Sequence, residues 1–165
     1  MFKVGIITAS DKGSRGERED LSAEAIKEKI TAAGWEVNAY AIVPDDRESI
    51  AAKLREFADE KGLDLVLTTG GTGFGPRDVT PEATLDVVER LVPGIPELMR
   101  MESYKITPRA ILSRATAGIR SGTLIVNLPG SPKAVKECLD WILPALPHGL
   151  EILKGLTGEC AAPEV

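Results

Sequence analysis

One stretch of the sequence, residues 65–84, constrains the fold and the chemistry of this chain most strongly. It begins with the apolar run Leu65-Val66-Leu67 and continues with four glycines within six positions, at 70, 71, 73 and 75. Glycine adopts positive φ angles and lets a ligand approach bare backbone N–H groups. Thr80 can then cap a helix, and Pro81 suits the first helical turn because its missing N–H would have no partner there. A strand, a glycine loop and a helix N-terminus in this order predict a phosphate-binding site.

An acidic residue accompanies the glycines. Asp78 precedes Thr80 by two positions, and its carboxylate would repel a phosphate unless a cation lay between them. The stretch therefore indicates a phosphorylated ligand held with a metal ion. A Walker loop would need Lys at position 76, and a dinucleotide fingerprint would need Gly there, but the chain has Pro76. A glycine-rich surface loop without a ligand is the alternative.

Composition excludes several classes of protein. The chain has 165 residues, the length of one domain, and a net charge of −5 with acidic and basic residues mixed along the sequence. Such mixing argues against broad binding of nucleic acids or membrane surfaces. The N-terminal run is strand-like and is not a signal peptide, and no apolar stretch reaches the roughly 18 residues of a membrane span. We expect a cytoplasmic protein.

Cysteine and histidine offer little further chemistry. No cluster of metal ligands surrounds Cys138 or Cys160, so we expect a buried small side chain and a free thiol in the tail. His148 is the one histidine, and a Ser-His-Asp triad would have to use it. Because no Gly-x-Ser-x-Gly elbow is present, we interpret His148 as structural.

Strands and helices alternate in the first half of the sequence. Strands are predicted at 2–9, 36–43 and 64–69, and the segment 10–16 is predicted to be a flexible polar loop. Helices are predicted at 20–33, from Asp45 to Gly62, and at 81–92. This alternation implies a parallel sheet with helices on both faces. The buried helical positions are predicted to be Leu21, Ala25, Ile26, Ile30 and Ala33, followed by Ile50, Ala51, Leu54, Phe57 and Ala58.

The second half of the sequence predicts a hairpin between helices. Segments 95–104, 108–114 and 132–154 are predicted to be helical, the last one broken near Pro144 and Pro147. The runs 115–120 and 123–128 are joined by Ser121-Gly122, so the last strand is predicted to be antiparallel to its neighbour. The predicted fold is α/β, a three-layer α/β/α sandwich whose mostly parallel sheet has about five strands, the last one antiparallel.

Ligands in such folds bind beyond the carboxyl ends of the strands. Here those ends carry Ser10-Asp11, Asp45-Asp46 and the glycine loop, so three loops gather on one edge. A helix cap is the alternative role for Asp45, because Glu48 follows at capping-box spacing. If the first strand lies between the other two, the loops of Asp45 and Asp78 begin roughly 10 Å apart. One shared ion and two separate roles both remain open.

Four sequence blocks together resemble the molybdopterin adenylyltransferase (MogA/MoaB) family of molybdenum cofactor biosynthesis proteins. The blocks are residues 69–73, 77–84, 112–114 and 127–132, and they occur in the order of the family. The resemblance extends from about residue 3 to residue 155. It implies a single molybdopterin-binding domain over residues 1–156, followed by a loose tail over 157–165.

The resemblance also implies roles for individual residues. Asp45 and Asp78 correspond to the family's essential acids, and both are expected to act in catalysis and to bind Mg²⁺. An ordinary turn or strand-end hydrogen bond is the alternative role for Ser113 and Asn127. The expected nucleotide- and phosphate-binding residues are Gly70, Gly71, Thr72, Gly73, Gly75 and Thr80. The expected pterin-binding residues are Ser113, Asn127, Gly130, Ser131, Ser10 and Asp11.

The activity that the resemblance implies is adenylylation of molybdopterin by MgATP, with release of pyrophosphate. A non-catalytic molybdopterin-binding or scaffold module is the alternative, and molybdate insertion is a second enzymatic one. The family resemblance implies a homo-oligomer, a trimer or, in the MoaB subgroup, a hexamer. Ile95, Leu98, Met99 and Met101 support it, because one core has little room for all four. The downstream molybdate-insertion protein is a further expected partner.

Overall fold

The computed structural model of the chain describes residues 1–157, which form one sheet of six strands with helices on both faces. The strands are β1 (Lys3–Ala9), β2 (Glu36–Val43), β3 (Leu65–Thr69), β4 (Arg90–Leu91), β5 (Ala117–Arg120) and β6 (Thr123–Leu128). The helices are α1 (Asp11–Ser14), α2 (Leu21–Ala32), α3 (Arg47–Arg55), α4 (Thr80–Val87), α5 (Gly94–Tyr104), α6 (Pro132–Ile142) and α7 (Leu146–Leu153). A π-helical turn, Glu56–Glu60, extends α3, and a 3₁₀ turn, Pro108–Leu112, follows α5.

The strand order across the sheet is β2-β1-β3-β6-β5-β4. β1 lies between β2 and β3 and is parallel to both, and β6 is parallel to β3. The parallel direction of the first three strands is the one that the alternation of strands and helices predicted. The predicted hairpin is present, because β5 and β6 are antiparallel and Ser121 takes a positive φ of 51° at their turn. β5 is thus the strand whose direction opposes that of the other five. The four neighbouring parallel strands, β2, β1, β3 and β6, bring their carboxyl ends to one edge of the sheet.

The alternation of side chains along the strands divides the core into two layers. Ile6 points toward α2 and α6, whereas Ile7 points toward α3 and α4. Val66 and Leu67 divide in the same way on β3. All the strand residues of β3 are buried, which is typical of a central parallel strand covered on both faces. The three-layer α/β/α architecture predicted from the sequence is therefore confirmed.

Three local predictions were wrong. Residues 88–92 do not continue a helix: Val88 is extended, and Glu89 N–H donates to the Ile119 carbonyl at 2.8 Å, which places the sixth strand, β4, at the edge. Segment 10–16 is not a flexible loop, because α1 forms there. Leu21 and Ala33 are exposed, since Leu21 begins α2 after the cap Asp20 and Ala33 follows its end.

The remaining helical predictions fit the structure well. All five predicted buried positions on the second helix are buried, and all of them except Ala58 belong to the core cluster next to α4. The last helix breaks between α6 and α7. Cys138 is buried, and burial raises the pKa of its thiol to about 11. Cys160 and the tail beyond residue 157 lie outside the described residues. Within residues 1–157, no helix is both long enough and apolar enough to span a bilayer.

Candidate active site

A cavity of about 650 Å³ opens at the carboxyl edge of the sheet. Its walls come from the ends of β1, β2 and β3, the start of α2, and the turn that joins β6 to α6. Among the predicted site residues, those that line it are Ser10, Asp45, Gly70, Gly71, Asp78, Gly130 and Ser131. The structure therefore brings both candidate acids and the start of the glycine loop into one cavity, as the order of strands requires.

Asp45 lines the cavity, and its carboxylate is not used to cap a helix. Asp46 performs that task, since its carboxylate accepts the Ser49 N–H at 2.8 Å. Asp45 Oδ2 instead accepts the Asp11 N–H at 2.9 Å. The alternative role of Asp45 as a helix cap was therefore wrong, because the next residue, Asp46, caps α3. Burial raises the pKa of Asp45, and the neighbouring negative charges of Asp11 and Asp78 raise it further, although the Asp11 N–H lowers it.

Asp11 has a structural partner of its own. Arg77 donates to it twice, from Nε to Oδ2 at 3.1 Å and from a terminal nitrogen to Oδ1 at 2.9 Å. This hydrogen bond with Arg77 lowers the pKa of Asp11. Asp11 was expected to contact the pterin, but its carboxylate connects the loop after β1 to the glycine loop and is not part of the cavity wall.

The first two glycines of the loop are required by geometry. Gly70 and Gly71 take φ angles of +91° and +70°, which disfavour any residue with a Cβ. A Cβ on Gly70 would lie 2.5 Å from the Ala9 carbonyl oxygen, and one on Gly71 would collide with the Thr80 hydroxyl. The loop thus packs closely against β1 and α4, and its conformation is fixed without a ligand.

Thr80 holds this loop from the start of α4. Its N–H donates to the Gly71 carbonyl at 3.1 Å and its hydroxyl donates to the Gly70 carbonyl at 2.9 Å. Thr80 was predicted to cap α4, but Val79 occupies the N-cap position and no side chain caps the helix. Because Thr80 is completely buried, it supports the loop and does not itself reach the cavity. Thr72 is also buried.

Asp78 is held at the far end of the loop. Its Oδ2 accepts the Gly75 N–H at 2.8 Å. A Cβ on either Gly73 or Gly75 would lie 2.9 Å from that same oxygen. These two glycines therefore make room for the carboxylate and do not line the cavity themselves.

The turn between β6 and α6 forms the opposite wall. Ser131 caps α6 by accepting the Ala134 N–H at 3.1 Å, and Ser22 from α2 donates to the Gly130 carbonyl. Thr69 donates to the Pro129 carbonyl at 2.7 Å, which fixes the turn to the end of β3. Ser10 caps α1 across the cavity by accepting the Gly13 N–H at 2.9 Å.

The other two predicted pterin residues lie elsewhere. Ser113 lines a second cavity of about 230 Å³ between α5, the 3₁₀ turn and α6. Asn127 is completely buried: its amide nitrogen donates to the hydroxyls of Thr68 at 3.0 Å and Thr84 at 2.9 Å, and its oxygen accepts the Thr116 N–H. The structure brings Asn127 to neither cavity.

A magnesium ion bound with a nucleotide fits the donors present. No group of three or more His, Cys, Asp or Glu side chains in residues 1–157 could hold a metal unaided. Mg²⁺ needs no such group, since it commonly takes one or two carboxylates, several waters and substrate phosphates. In Asp45 and Asp78, Oδ2 is held by a backbone N–H, and within the described chain Oδ1 accepts no hydrogen bond. Both line the cavity, so these residues fit the ion.

Sequence reasoning missed two sets of residues. The segment 18–22, which includes Arg18, forms part of the cavity wall, and only its position before α2 could have indicated this. Arg114 was recognised within a family block but received no role. In the structure it donates to the Asp78 carbonyl at 2.7 Å.

Comparison with known proteins places this site in a family. A family model described as "Probable molybdopterin binding domain" matches residues 5–148. The molybdopterin adenylyltransferase of Helicobacter pylori J99 is 47% identical over 156 residues, which are 92% of this chain and 88% of that protein. The molybdopterin adenylyltransferase of Escherichia coli K12 is 40% identical over 179 residues, which are 99% and 91% of the two chains.

A solved structure shows the same likeness in three dimensions. The molybdopterin biosynthesis enzyme MoaB from Thermus thermophilus superimposes with a TM-score of 0.89 at 54% sequence identity, over 94% of this chain and 98% of that one. The family match includes both candidate acids, the glycine loop and the turn after β6. This chain therefore belongs to the molybdopterin-binding domain family of MogA and MoaB proteins.

Proposed function

We propose that this chain adenylylates molybdopterin, using MgATP and releasing pyrophosphate. The observation that carries this proposal is the single cavity in which Asp45, Asp78 and the glycine loop meet at the carboxyl edge of the sheet. The relatives named molybdopterin adenylyltransferase match this chain at 40–47% identity over nearly its whole length. The family membership and the site geometry thus support the same reaction class.

The reaction forms one bond and breaks another at the same phosphorus atom. An oxygen of the terminal phosphate of molybdopterin attacks the α-phosphorus of ATP, and the bond from that phosphorus to the bridging oxygen of pyrophosphate breaks. Both reactants are anions, so catalysis depends on alignment and on neutralisation of charge. The attacking phosphate is already ionised and needs no strong general base. The absence of His148 from the residues that line the cavity is consistent with this requirement.

Each wall of the cavity has a distinct task in this proposal. Gly70 and Gly71 offer a rigid backbone against which the nucleotide phosphates can lie. Asp45 and Asp78 hold Mg²⁺, which neutralises phosphate charge when bound. The turn at Gly130 and Ser131, together with Ser10, receives the phosphate end of molybdopterin. Ser113 lines the neighbouring small cavity. In this proposal Ser113 contacts the pterin there.

We propose a homo-oligomer, a trimer or, for a MoaB-type protein, a hexamer. Of the four residues that suggested this, Met99 is buried and Ile95 packs on the core, whereas Met101 is 66% exposed and Leu98 is also exposed. Further exposed apolar side chains from α5, the 3₁₀ turn and the segment between them accompany these two: Tyr104, Ile106, Ile111 and Leu112. Exposed apolar side chains gathered within one short segment of the chain support an interface there. A cytoplasmic location and transfer of the product to a molybdate-insertion protein stay predictions.

The activity test measures pyrophosphate release from MgATP with and without molybdopterin. We expect pyrophosphate and adenylyl-molybdopterin in equal amounts, and only when both substrates are present. Steady conversion of ATP to ADP and phosphate without pterin would contradict the proposal. Tight binding of molybdopterin without any turnover would favour the non-catalytic module.

A further inference from the structure

One arginine outside the cavity wall holds the loop that carries Asp78. Three nitrogens of the Arg114 guanidinium donate to three different acceptors. Nε donates to the Gly73 carbonyl at 2.8 Å, and one terminal nitrogen donates to the Asp78 carbonyl at 2.7 Å. The other terminal nitrogen pairs with Glu82 in the first turn of α4. The backbone N–H of Arg114 adds a bond to the Thr72 carbonyl at 2.9 Å.

These contacts fix both ends of the turn at residues 73–78. Inside that turn, Asp78 N–H donates to the Gly75 carbonyl and Gly75 N–H donates to the Asp78 carboxylate. Among the described residues, hydrogen bonds join this turn to distant parts of the chain only through Arg114 and through the pair of Arg77 with Asp11. Arg77 is mostly exposed, whereas the Arg114 side chain is 34% exposed and its acceptors are partly buried.

We propose that Arg114 is a positioning residue for the transfer reaction, which acts by fixing the Asp78 carboxylate at the cavity. Arg114 is not among the residues that line the cavity, so the proposed effect acts through Asp78. The inference rests on the proposed role of Asp78. The planar guanidinium presents its N–H groups in fixed directions, and this geometry spans carbonyls that a single ammonium cannot reach together. Glu82 orients the guanidinium from the opposite side.

The decisive variant is Arg114→Lys, which keeps the positive charge but loses the planar guanidinium with its several N–H donors. We expect kcat to fall by about a hundredfold, the scale of an ångström-sized misplacement at a reacting centre. The Mg²⁺ concentration that gives half-maximal activity should rise, while the KM for molybdopterin stays within a factor of about two. Glu82→Gln keeps one acceptor for Arg114 and should show a smaller loss of kcat in the same direction.

Arg120→Lys is the matched control. Arg120 also donates to three acceptor atoms, namely both carboxylate oxygens of Asp59 and the Val87 carbonyl, but it lies at the other end of β5 from the cavity side. Its replacement should lower the melting temperature as much as Arg114→Lys does. Its kcat and its Mg²⁺ dependence should remain those of the wild type. Equal kinetic losses in both variants would reduce Arg114 to a general stabilising residue and overturn the inference.

A second measurement does not depend on activity. Hydrogen exchange of the ligand-free protein should show the Gly75 N–H exchanging about tenfold faster in Arg114→Lys, since its bond to Asp78 is no longer held. The amides of β3 should exchange at the wild-type rate in both variants. Unchanged exchange at Gly75 would overturn the positioning role even if turnover fell. Faster exchange in an enzyme with no adenylyltransferase activity would retain the positioning role and reject the proposed reaction.

Discussion

Asp11 and Asp45 exchange backbone-to-carboxylate hydrogen bonds in both directions. The Asp11 N–H donates to Asp45 Oδ2 at 2.9 Å, and the Asp45 N–H donates to Asp11 Oδ1 at 3.0 Å. The bonds join the loop after β1 to the loop after β2, two segments that are 34 residues apart. Arg77 of the glycine loop adds its bidentate contact to Asp11. Three loops are thereby fixed to one another, and Asp45, which lines the cavity, keeps Oδ1 without a hydrogen bond from the described residues.

Replacement of Asp78 by Asn removes the negative charge and keeps the shape of the side chain, so it tests whether the charge is needed for turnover. The carbonyl oxygen of the new side-chain amide can still accept the Gly75 N–H, so the melting temperature should change by less than about 2 °C. Turnover should fall at least about a hundredfold, the scale of removing one transition-state stabiliser. The measurement is pyrophosphate release over a Mg²⁺ titration, and Asp59→Asn, far from the cavity, is the control. Near-normal turnover with unchanged Mg²⁺ dependence would remove Asp78 from the mechanism.

Asp45→Asn should stabilise the ligand-free protein while it abolishes activity. Because the folded-state pKa of Asp45 is raised above the ordinary 3.8, the native state binds its proton more tightly than the unfolded state does. The ionised carboxylate therefore lowers stability progressively as the pH rises through 3.8 and through the folded-state pKa. Melting curves in a metal chelator should show the variant more stable at pH 7, with the difference vanishing at acidic pH. A variant less stable at pH 7 would refute this account.

Asn127→Ala should reduce stability without a direct effect on ligand affinity. Its amide satisfies Thr68, Thr84 and Thr116, and it is completely buried. The variant leaves these buried polar groups unpaired and creates an empty space where the asparagine side chain was. Together these effects should lower the free energy of unfolding by about 3 kcal/mol. Urea denaturation measures the loss, and substrate titrations at low temperature give the KM values. A normal unfolding curve with a raised KM for molybdopterin would instead place Asn127 at the ligand.

Ser113→Ala should distinguish the two cavities. Ser113 lines the smaller one, away from the glycine loop, and its hydroxyl accepts only a long bond of 3.3 Å from the Ala115 N–H. Loss of one hydrogen bond to a charged group is worth about 1.5–3 kcal/mol, so the Kd for molybdopterin should rise at least about tenfold. Calorimetry should show an unchanged Kd for MgATP. Equal losses for both ligands would assign Ser113 a different role.

Met101→Glu should disrupt self-association. Met101 is 66% exposed on α5, and a charge at this position would have to be desolvated in any interface formed there. Light scattering at micromolar concentration should give an oligomer mass for the wild type and a smaller mass for the variant. Glu97→Gln on the same helix is a matched control, which should leave the mass unchanged. A wild type that scatters as a monomer would rule out the proposed oligomer.

The sequence predicted the architecture well because the signals were local and redundant. The apolar runs of β1 and β3, the glycine loop and the Ser121-Gly122 turn each specify their own backbone, and parallel connectivity then places the loops on one edge. The two-residue strand β4 was missed because Arg90 and Leu91 carry no alternating pattern and are ordered only by pairing with β5. A helix cap was kept as the alternative role for Asp45 because Asp45 and Asp46 are adjacent, and local sequence cannot tell which of the two precedes the helix.

The sequence predicted which loops form the site, but it did not predict the structural role of each residue. Asp45, Asp78 and Gly71 meet as expected. The burial of Asn127 and Thr80, by contrast, depends on a chain of hydrogen bonds from β6 through Thr84 to the glycine loop. Such a chain joins residues 43 apart and leaves no periodic signal in the sequence. The same holds for Arg114, whose acceptors lie 36 and 41 residues before it.

The position of β6 in the sheet has a consequence for the order in which the site is made. β6 is the last strand within residues 1–157, yet it pairs with β3 near the middle of the sheet and is followed by the turn that forms one wall of the cavity. During synthesis both acids and every loop glycine leave the ribosome before residues 123–132 do. The growing chain therefore contains both acids before the wall formed by the turn after β6 has been synthesised. The cavity wall is thus complete only after nearly the whole domain has been translated.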